Sequence, residues 1–380
     1  MEYDLVFLYT ALAVGISTVY SMLKRTNMWF YTIKFSSKEY NFPPGDMGWP
    51  FFGNMPIFCK CFKGRDPDSF ISYFVTRYGR GGMYKGLILE KPSIIVTKPE
   101  ICRKILLDDE NFDRHMPKTS LNVLGQEPPS NQEEKRRRMR SNPIQSHGGA
   151  LSFQLDIINE TVKNSFEKWA SMEKPIEFLT EMKKTTFEVL MRILVGDEVA
   201  QDLLDVVFKE NTFLIRGFLS IPINIPGFDY NRANKARGAI VKIFYQIIEE
   251  RKAMIAKNKA MLKSSILDTM LDSSQDDENI ITTLVSVTFA GYEFTAEVAA
   301  KAIMYLEKHP DFLHKAKEEQ EDIIKKRPSS NAGLNIEEIR KKKYLTKVIN
   351  ETLRCASVSS LLLRDAKTTV NINGYAIPKG

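Results

Sequence analysis

The sequence predicts a mainly α-helical fold with small β-sheets and an amino-terminal transmembrane helix. Three observations carry that reading. Leu151 to Met172, Pro175 to Val195 and Ala233 to Met261 repeat their apolar residues at helical spacing. Asn279 to Leu306 reads as one long helix closed by His309-Pro310, and Leu284 to Ala290 within it is almost wholly apolar, so it should be buried nearly all round. Strand signals are few: in the first half the β-branched run Ser93-Ile94-Ile95-Val96-Thr97 is the best. A chain of 380 residues with 43% apolar and 27% charged residues has ordinary globular composition and is long enough for a large core.

In chain order, Leu5 to Leu23 comes first, 19 residues without a charge. At 1.5 Å per residue that run can cross a hydrocarbon core of ~30 Å. Glu2 and Asp4 precede it and Lys24 and Arg25 follow, which puts the amino terminus in a lumen and the rest in the cytoplasm. A cleaved signal peptide needs basic residues before the apolar run and small ones after it, and neither is present. Residues 1–25 are therefore expected to be an uncleaved signal anchor. Lys24 to Tyr40 is basic and aromatic, as suits a membrane interface. Pro43 to Asn54 packs three prolines and three glycines into twelve residues, which excludes helix and central strand and predicts a stiff hinge. Residues 26–55 form this connecting region and residues 56–380 the main domain. Within it Ile221 to Gly227 is a loop, and the polar, acidic stretch Ser264 to Glu278 is expected to loop before the longest helix.

Four cysteines are too few and too unevenly spaced for a disulfide framework. Cys59 and Cys61 are separated by one residue, which fits neither a zinc knuckle nor a redox pair, so no metal cluster is expected. The net charge of +7 suggests an anionic partner or surface. Gln132 to Arg140 is a dense basic run, in isolation a nucleic-acid patch, a nuclear signal or a solvated helix face. A membrane anchor argues against the nucleus, and no nucleic-acid partner is expected. Gly291, in the middle of the long helix, costs ~1 kcal/mol relative to alanine and marks a close approach, either a helix crossing or a ligand. Glu351 and Arg354 stand three apart on a helix and can pair in bidentate fashion, and Arg364 follows ten residues later.

Several of these stretches share one resemblance. Tyr344 to Arg354 resembles the K helix of cytochrome P-450 monooxygenases, Val370 to Gly380 the strand pair after it, and Pro43 to Asn54 their microsomal hinge. His309-Pro310 with Lys315 to Gln320 resembles their J helix, and Ala290-Gly291-Tyr292-Glu293-Phe294-Thr295 their oxygen-activating motif. The resemblance implies a cytochrome P-450 fold, incomplete at the carboxy terminus, and a haem cofactor held by a cysteine thiolate on a loop that would lie beyond Gly380. It also implies O2 as substrate, electrons from NADPH through a cytochrome P-450 reductase, and the endoplasmic reticulum membrane as location.

Residue by residue, the resemblance places Ala290 and Gly291 over the haem and makes Glu293 and Thr295 the proton relay. Phe294 departs from it, occupying the slot of an alcohol that can pass a proton. Arg138 and Arg364 match propionate-binding arginines, although Glu134 fills a slot that would repel a propionate. Glu351 and Arg354 match an ion pair buried beneath the haem. Cys355 directly follows Arg354 on a helix and is expected to be a buried structural thiol. The hinge, Pro92 to Val96, Ile221 to Phe228 and Asn373 to Tyr375 together resemble the plant group containing ent-kaurenoic acid oxidase, of gibberellin synthesis, and beta-amyrin 11-oxidase, of triterpenoid synthesis. A bulky, hydrophobic terpenoid substrate follows, with Phe294, Leu361 and Leu362 as pocket candidates and Arg216 as partner for a substrate carboxylate. These 380 residues are expected to be inactive alone. The alternative is a catalytically dead, membrane-tethered binding protein or the product of a decayed gene.

Overall fold

The proline- and glycine-rich stretch is built into the fold and does not hang as a tether. In the computed structural model, which describes residues 2–35, 40–64, 66–89, 91–126, 151–257, 265–273, 275–327, 334–356 and 361–380, Gly45 presses so closely on strand β1 (Met83–Ile88) that a Cβ there would lie 2.1 Å from the Lys85 carbonyl oxygen. Lys85 N–H donates to the Pro44 carbonyl at 3.0 Å, and the Asn54 side chain accepts from Leu87 N–H at 2.8 Å. Gly48 and Gly53 adopt positive φ, +60° and +57°, which glycine tolerates without strain. The Asp46 carboxylate ties the stretch together, accepting from Gly48 N–H at 2.9 Å, Asn54 Nδ2 at 2.8 Å, Tyr73 at 3.0 Å and Tyr78 at 2.7 Å. Burial works against its charge. The hydrogen bonds from Tyr78, Asn54, Tyr73 and Gly48 outweigh it and hold the carboxyl below its ordinary value.

The described residues divide into two compact units. The first opens with helix α1 (Glu2–Phe35), whose Asn27 donates to the carbonyls of Met47 and Trp49 and so fixes the helix to the hinge. Helices α2 (Met55–Lys63) and α3 (Pro67–Tyr78) follow, each with proline in its first turn, the second capped by Asp66 accepting from Ser69 N–H. Strand β1 pairs antiparallel with β2 (Lys91–Val96), which contains most of the predicted strand. After α4 (Pro99–Leu107), β3 (Phe112–Arg114) pairs with β4 (Arg364–Ala366), and β5 (Val370–Ile372) with β6 (Tyr375–Ile377) around an Asn373-Gly374 turn with φ positive at both residues. The core of this unit is aromatic: Phe58, Phe70, Phe74 and Tyr84 are buried on one another.

Among the described residues no helix is long and apolar enough to cross a membrane. The side chains of Leu5, Val6, Leu8 and Ala13, part of the predicted span, lie outside the described residues. The described apolar side chains of α1 face outward, from Phe7, 76% exposed, to Met22, 69% exposed.

Helix α5 (Lys118–Leu124) carries the chain from the first unit to the second. There α6 (Leu151–Ala170), α7 (Phe178–Val195) and α9 (Asp229–Lys257) form where helical spacing predicts them, with α8 (Gln201–Phe218) packed along α9. Met191, Leu194, Leu214, Ile240, Phe244 and Leu284 are sealed in its core, each contributing ~1.5–3 kcal/mol of burial free energy.

Three expectations fail here. The stretch Ser264 to Glu278 contains a helix, α10 (Ile266–Asp272), with a Ser265–Asp268 capping box; Asp268 is also buried in a bidentate pair with Arg251, Nε at 2.5 Å and Nη2 at 2.7 Å. The long helix is two, α11 (Asp277–Gly291) and α12 (Glu293–Lys308), broken at Tyr292. The buried Tyr292 ring lodges between Phe187 and Phe208, with centroids 5.3 and 5.6 Å away, and the Thr186 hydroxyl donates to the Tyr292 carbonyl at 3.1 Å. Tyr292 keeps right-handed helical angles, φ −96° and ψ −38°, and its carbonyl still accepts from Ala296 N–H at 2.9 Å, so the break is confined to this one residue. Burial all round fails as well, because only Ala296 of α12 is buried. Helices α13 (Pro310–Lys325), α14 (Ile336–Lys341) and α15 (Lys343–Ala356) complete the unit.

Candidate functional site

The helix break organises the motif around it. Gly291 meets α7: a Cβ at this position would come 2.8 Å from Leu190 Cδ2, so the missing side chain permits a helix crossing. Glu293 is the first residue of α12, where a carboxylate suits the positive end of the helix dipole. Its oxygen accepts a charge-assisted hydrogen bond from Lys183 Nζ of α7, and both side chains are largely shielded. Thr295, two residues on, donates its hydroxyl to the Gly291 carbonyl at 2.7 Å. The acid and the alcohol therefore have different partners and do not hydrogen-bond each other. Ala290, Phe294 and Thr295 are all exposed and lie within about a turn and a half. The motif thus has an inner side that packs, Gly291 and Tyr292, and an outer side open to a ligand.

Glu351 and Arg354 form the predicted bidentate pair, Nε to Oε2 at 2.8 Å and Nη2 to Oε1 at 2.6 Å. The expectation of burial is wrong: the side chains are 60% and 70% exposed. Leu353 beside them is exposed as well, so solvent reaches both charges. The hydrogen bonds from Arg354 draw the Glu351 carboxyl down to about 2, and the same pairing raises the guanidinium.

The other candidates are scattered. Arg138 and the basic run around it lie outside the described residues. Arg216 is exposed in the last turn of α8, where a cation complements free helix carbonyls. In the first unit, Arg364 on β4 turns Nη1 onto the neighbouring Leu363 carbonyl at 2.9 Å. Leu361 packs on the aromatic core there, and Leu362 is 56% exposed.

Sequence reasoning missed three groups. Lys183, Thr186 and Leu190 form one stripe on α7 that holds Glu293, Tyr292 and Gly291 in turn; their i, i+3, i+7 spacing was the available signal. Tyr292, to which the motif resemblance gives no role, packs its ring on Phe187 and Phe208 at the break. His115 and Asp365, 2.7 Å apart with Lys91 at 3.3 Å on the other carboxylate oxygen, clasp β3 to β4. Hydrogen bonding to His115 holds the Asp365 carboxyl below its ordinary value against the cost of burial.

The cysteines decide how far these residues suit a haem-thiolate centre. Cys59, Cys61 and Cys102 are partly buried, and desolvation pushes the thiols of Cys61 and Cys102 up, away from the thiolate. Cys355 is exposed on α15, against the expectation of a buried thiol, because it shares the solvent-facing side of the helix with Glu351 and Arg354; its sulfur lies 3.3 Å from Arg354 Nη2 and 3.6 Å from Glu351 Oε1. None sits on a loop that could present sulfur to iron, so the residues present do not make such a centre. No group of three or more His, Cys, Asp or Glu residues able to hold a metal occurs among the described residues.

The fold and the motif still have a clear origin. The family model described as Cytochrome P450 matches residues 43–380. The chain belongs to the cytochrome P450 family. It is 40% identical to 7,8-epoxymelianol synthase CYP88A154 of Ailanthus altissima, covering all of this chain and 78% of that one. It is also 40% identical to beta-amyrin 11-oxidase of Glycyrrhiza uralensis, over 94% of this chain and 75% of that one. Ent-kaurenoic acid oxidase 2 of Arabidopsis thaliana is 39% identical, over 98% and 77%. These relatives place this P450 in the plant CYP88 group. Among solved structures, retinoic acid-bound cyanobacterial CYP120A1 matches with a TM-score of 0.74 over 90% of this chain and 76% of that one. At 20% identity, that likeness bears on the fold alone.

Proposed function

We propose that this P450 derives from a haem-dependent monooxygenase that inserts an oxygen atom from O2 into a polycyclic terpenoid, and that these 380 residues need a thiolate-bearing segment to do so. The observation that carries the reading is the match, over 94% and 98% of this chain, to relatives named as oxidases of beta-amyrin and ent-kaurenoic acid. Those relatives are about equally similar to this chain, so identity does not choose between a diterpenoid acid and an uncharged triterpenoid. Arg216 would pair the carboxylate of the acid. The exposed Ala290, Phe294 and Thr295 would meet cofactor or substrate, with Arg138 and Arg364 toward haem propionates. Electrons would come from NADPH through a cytochrome P450 reductase.

Residues 1–25 serve in this proposal as an anchor in the endoplasmic reticulum membrane, with residues 56–380 as one cytoplasmic catalytic domain beyond the hinge. The outward-facing apolar side chains of α1 support the anchor, since an exposed row of Phe7, Leu12, Ile16 and Val19 is costly in water and suited to lipid.

A second reading, a membrane-tethered binding protein without turnover, draws support from the motif. Glu293 is tied to Lys183, the Thr295 hydroxyl is spent on a backbone carbonyl, and Phe294 cannot relay a proton. One experiment separates the two. The chain as given is expected to show no thiolate-type Soret band when reduced under carbon monoxide, and a graft of the carboxy-terminal region of beta-amyrin 11-oxidase should restore it. Turnover of either terpenoid by the graft in yeast microsomes supports the first reading. A restored band with substrate binding but no product supports the second. A thiolate-type band in the ungrafted chain would contradict both.

A further inference from the structure

Beneath α1, where the hinge meets α3, lies a cavity of about 140 Å³. Its wall includes Tyr20 of α1, Asp46 and Trp49 of the hinge, and Tyr73 and Arg77 of α3. The Tyr20 and Trp49 rings meet edge to face with centroids 4.9 Å apart. The Arg77 guanidinium lies over the Tyr73 ring, 4.6 Å from its centroid, and Arg77 Nη1 is 3.8 Å from Asp46 Oδ2.

The charges specify the ligand. A bare anion would face Asp46, which its hydrogen bonds keep ionised, and a bare cation would face Arg77. A zwitterion satisfies both. The kind of cation follows from hydrogen-bond capacity. The Asp46 oxygens already accept from Gly48, Asn54, Tyr73 and Tyr78, about the four sites a carboxylate offers. A primary ammonium, which must place three N–H donors, would find that acceptor spent. A quaternary ammonium has no N–H and needs only negative potential and aromatic surface, which Asp46, Tyr20 and Trp49 supply.

We propose that this cavity binds the phosphocholine headgroup of a bilayer lipid, its trimethylammonium group against Tyr20, Trp49 and Asp46 and its phosphate on Arg77. The lipid source rests on the reading of α1 as a membrane anchor. Tyr20 lies at the end of the uncharged run, where aromatic side chains sit at headgroup depth.

The test uses the full chain, reconstituted into vesicles of equal parts phosphatidylcholine, phosphatidylethanolamine and phosphatidylglycerol, extracted in maltoside and analysed for retained lipid by mass spectrometry. Phosphatidylcholine should be enriched severalfold, and Tyr20→Leu and Arg77→Gln should each abolish the enrichment while leaving the circular dichroism unchanged. Tyr20→Leu removes no partner of Asp46, and Arg77→Gln removes its ion pair at 3.8 Å but none of its four hydrogen bonds, so the hinge should survive both. In parallel, phosphocholine should bind the delipidated chain saturably in calorimetry, and phosphoethanolamine and inorganic phosphate at least tenfold more weakly. Equal retention of the three lipids overturns the proposal, as does equal binding of phosphoethanolamine. Binding of free phosphocholine without lipid enrichment overturns the lipid source. Resistance to carbonate extraction is scored separately: a chain that carbonate releases defeats the anchor, whereas one that stays in the membrane without lipid preference defeats only the headgroup site.

Discussion

Two bidentate arginine–carboxylate pairs of the second unit differ sharply in exposure, and deleting the carboxylate of each tests what burial does. Asp268 and Arg251 are 5% and 4% exposed, and removing Asp268 strands a guanidinium with no water to replace its partner. Breaking a buried pair in this way costs ~3–5 kcal/mol. Glu198, 3.1 Å from Arg251 Nη1, remains as a partial counter-charge and favours the lower end. For a unit of this size each kcal/mol moves the midpoint by roughly 2–4 °C, so about 3 kcal/mol predicts a fall of ~6–12 °C for Asp268→Ala. Some of that fall is the lost capping box, which Ser265→Ala measures separately. Glu351→Ala, by contrast, leaves an exposed Arg354 guanidinium that water solvates in place of the lost acid. It should shift the midpoint no more than Glu318→Ala, an exposed control on α13. The assay is thermal unfolding of the full chain in maltoside, followed at 222 nm. A fall for Glu351→Ala comparable to that for Asp268→Ala would show that α15 is covered in solution and that the exposure argument is wrong.

The depressed Asp46 carboxyl contributes stability above the ordinary carboxylate value of 3.8 and loses it as pH falls toward the folded value, so acid should loosen the hinge; an acid transition in Trp49 fluorescence, with Trp29 and Trp169 replaced by phenylalanine, should vanish in Asp46→Asn. Lys183, held by Glu293, should resist acetylation in the native chain and react severalfold faster in Glu293→Gln, read by peptide mass spectrometry; equal rates would place the pair apart in solution. Gly291→Ala drives a methyl into Leu190, at ~1–3 kcal/mol of overpacking against ~1 kcal/mol of helix propensity gained. The net loss should disappear when Leu190 is also made alanine, and its persistence would mean that the glycine serves something other than this crossing.

Local rules account for what was legible. Proline and glycine fix backbone angles by themselves, so the hinge, the Asn373-Gly374 turn and the end of α12 at His309-Pro310 could be read residue by residue. The i, i+3 spacing of Glu351 and Arg354 correctly implied a bidentate pair. Spacing carries no information about what covers a helix face, so the pair's burial had to be borrowed from resemblance, and that part failed. The break at Tyr292 was illegible for a related reason. Nothing in Ala290 to Thr295 forbids a continuous helix, and the rings that hold the Tyr292 side chain, Phe187 and Phe208, stand about a hundred residues upstream. Helix α10 was hidden by its polarity, because Asp268 reads as solvent-facing until Arg251, seventeen residues earlier, is placed against it.

The Asn27 clamp has a mechanical consequence. A lipid-embedded helix answers a thicker or thinner bilayer by changing its tilt, and a slack tether would absorb that rotation. Here Asn27 grips the backbone at Met47 and Trp49, and the hinge is bonded at both ends to β1. If α1 lies in lipid, its angle is geared to the first unit, so membrane thickness becomes a torque on β1 and on the Asp46 cluster beside it. Sterol content, by setting that thickness, would act on this protein as a steering force without touching it.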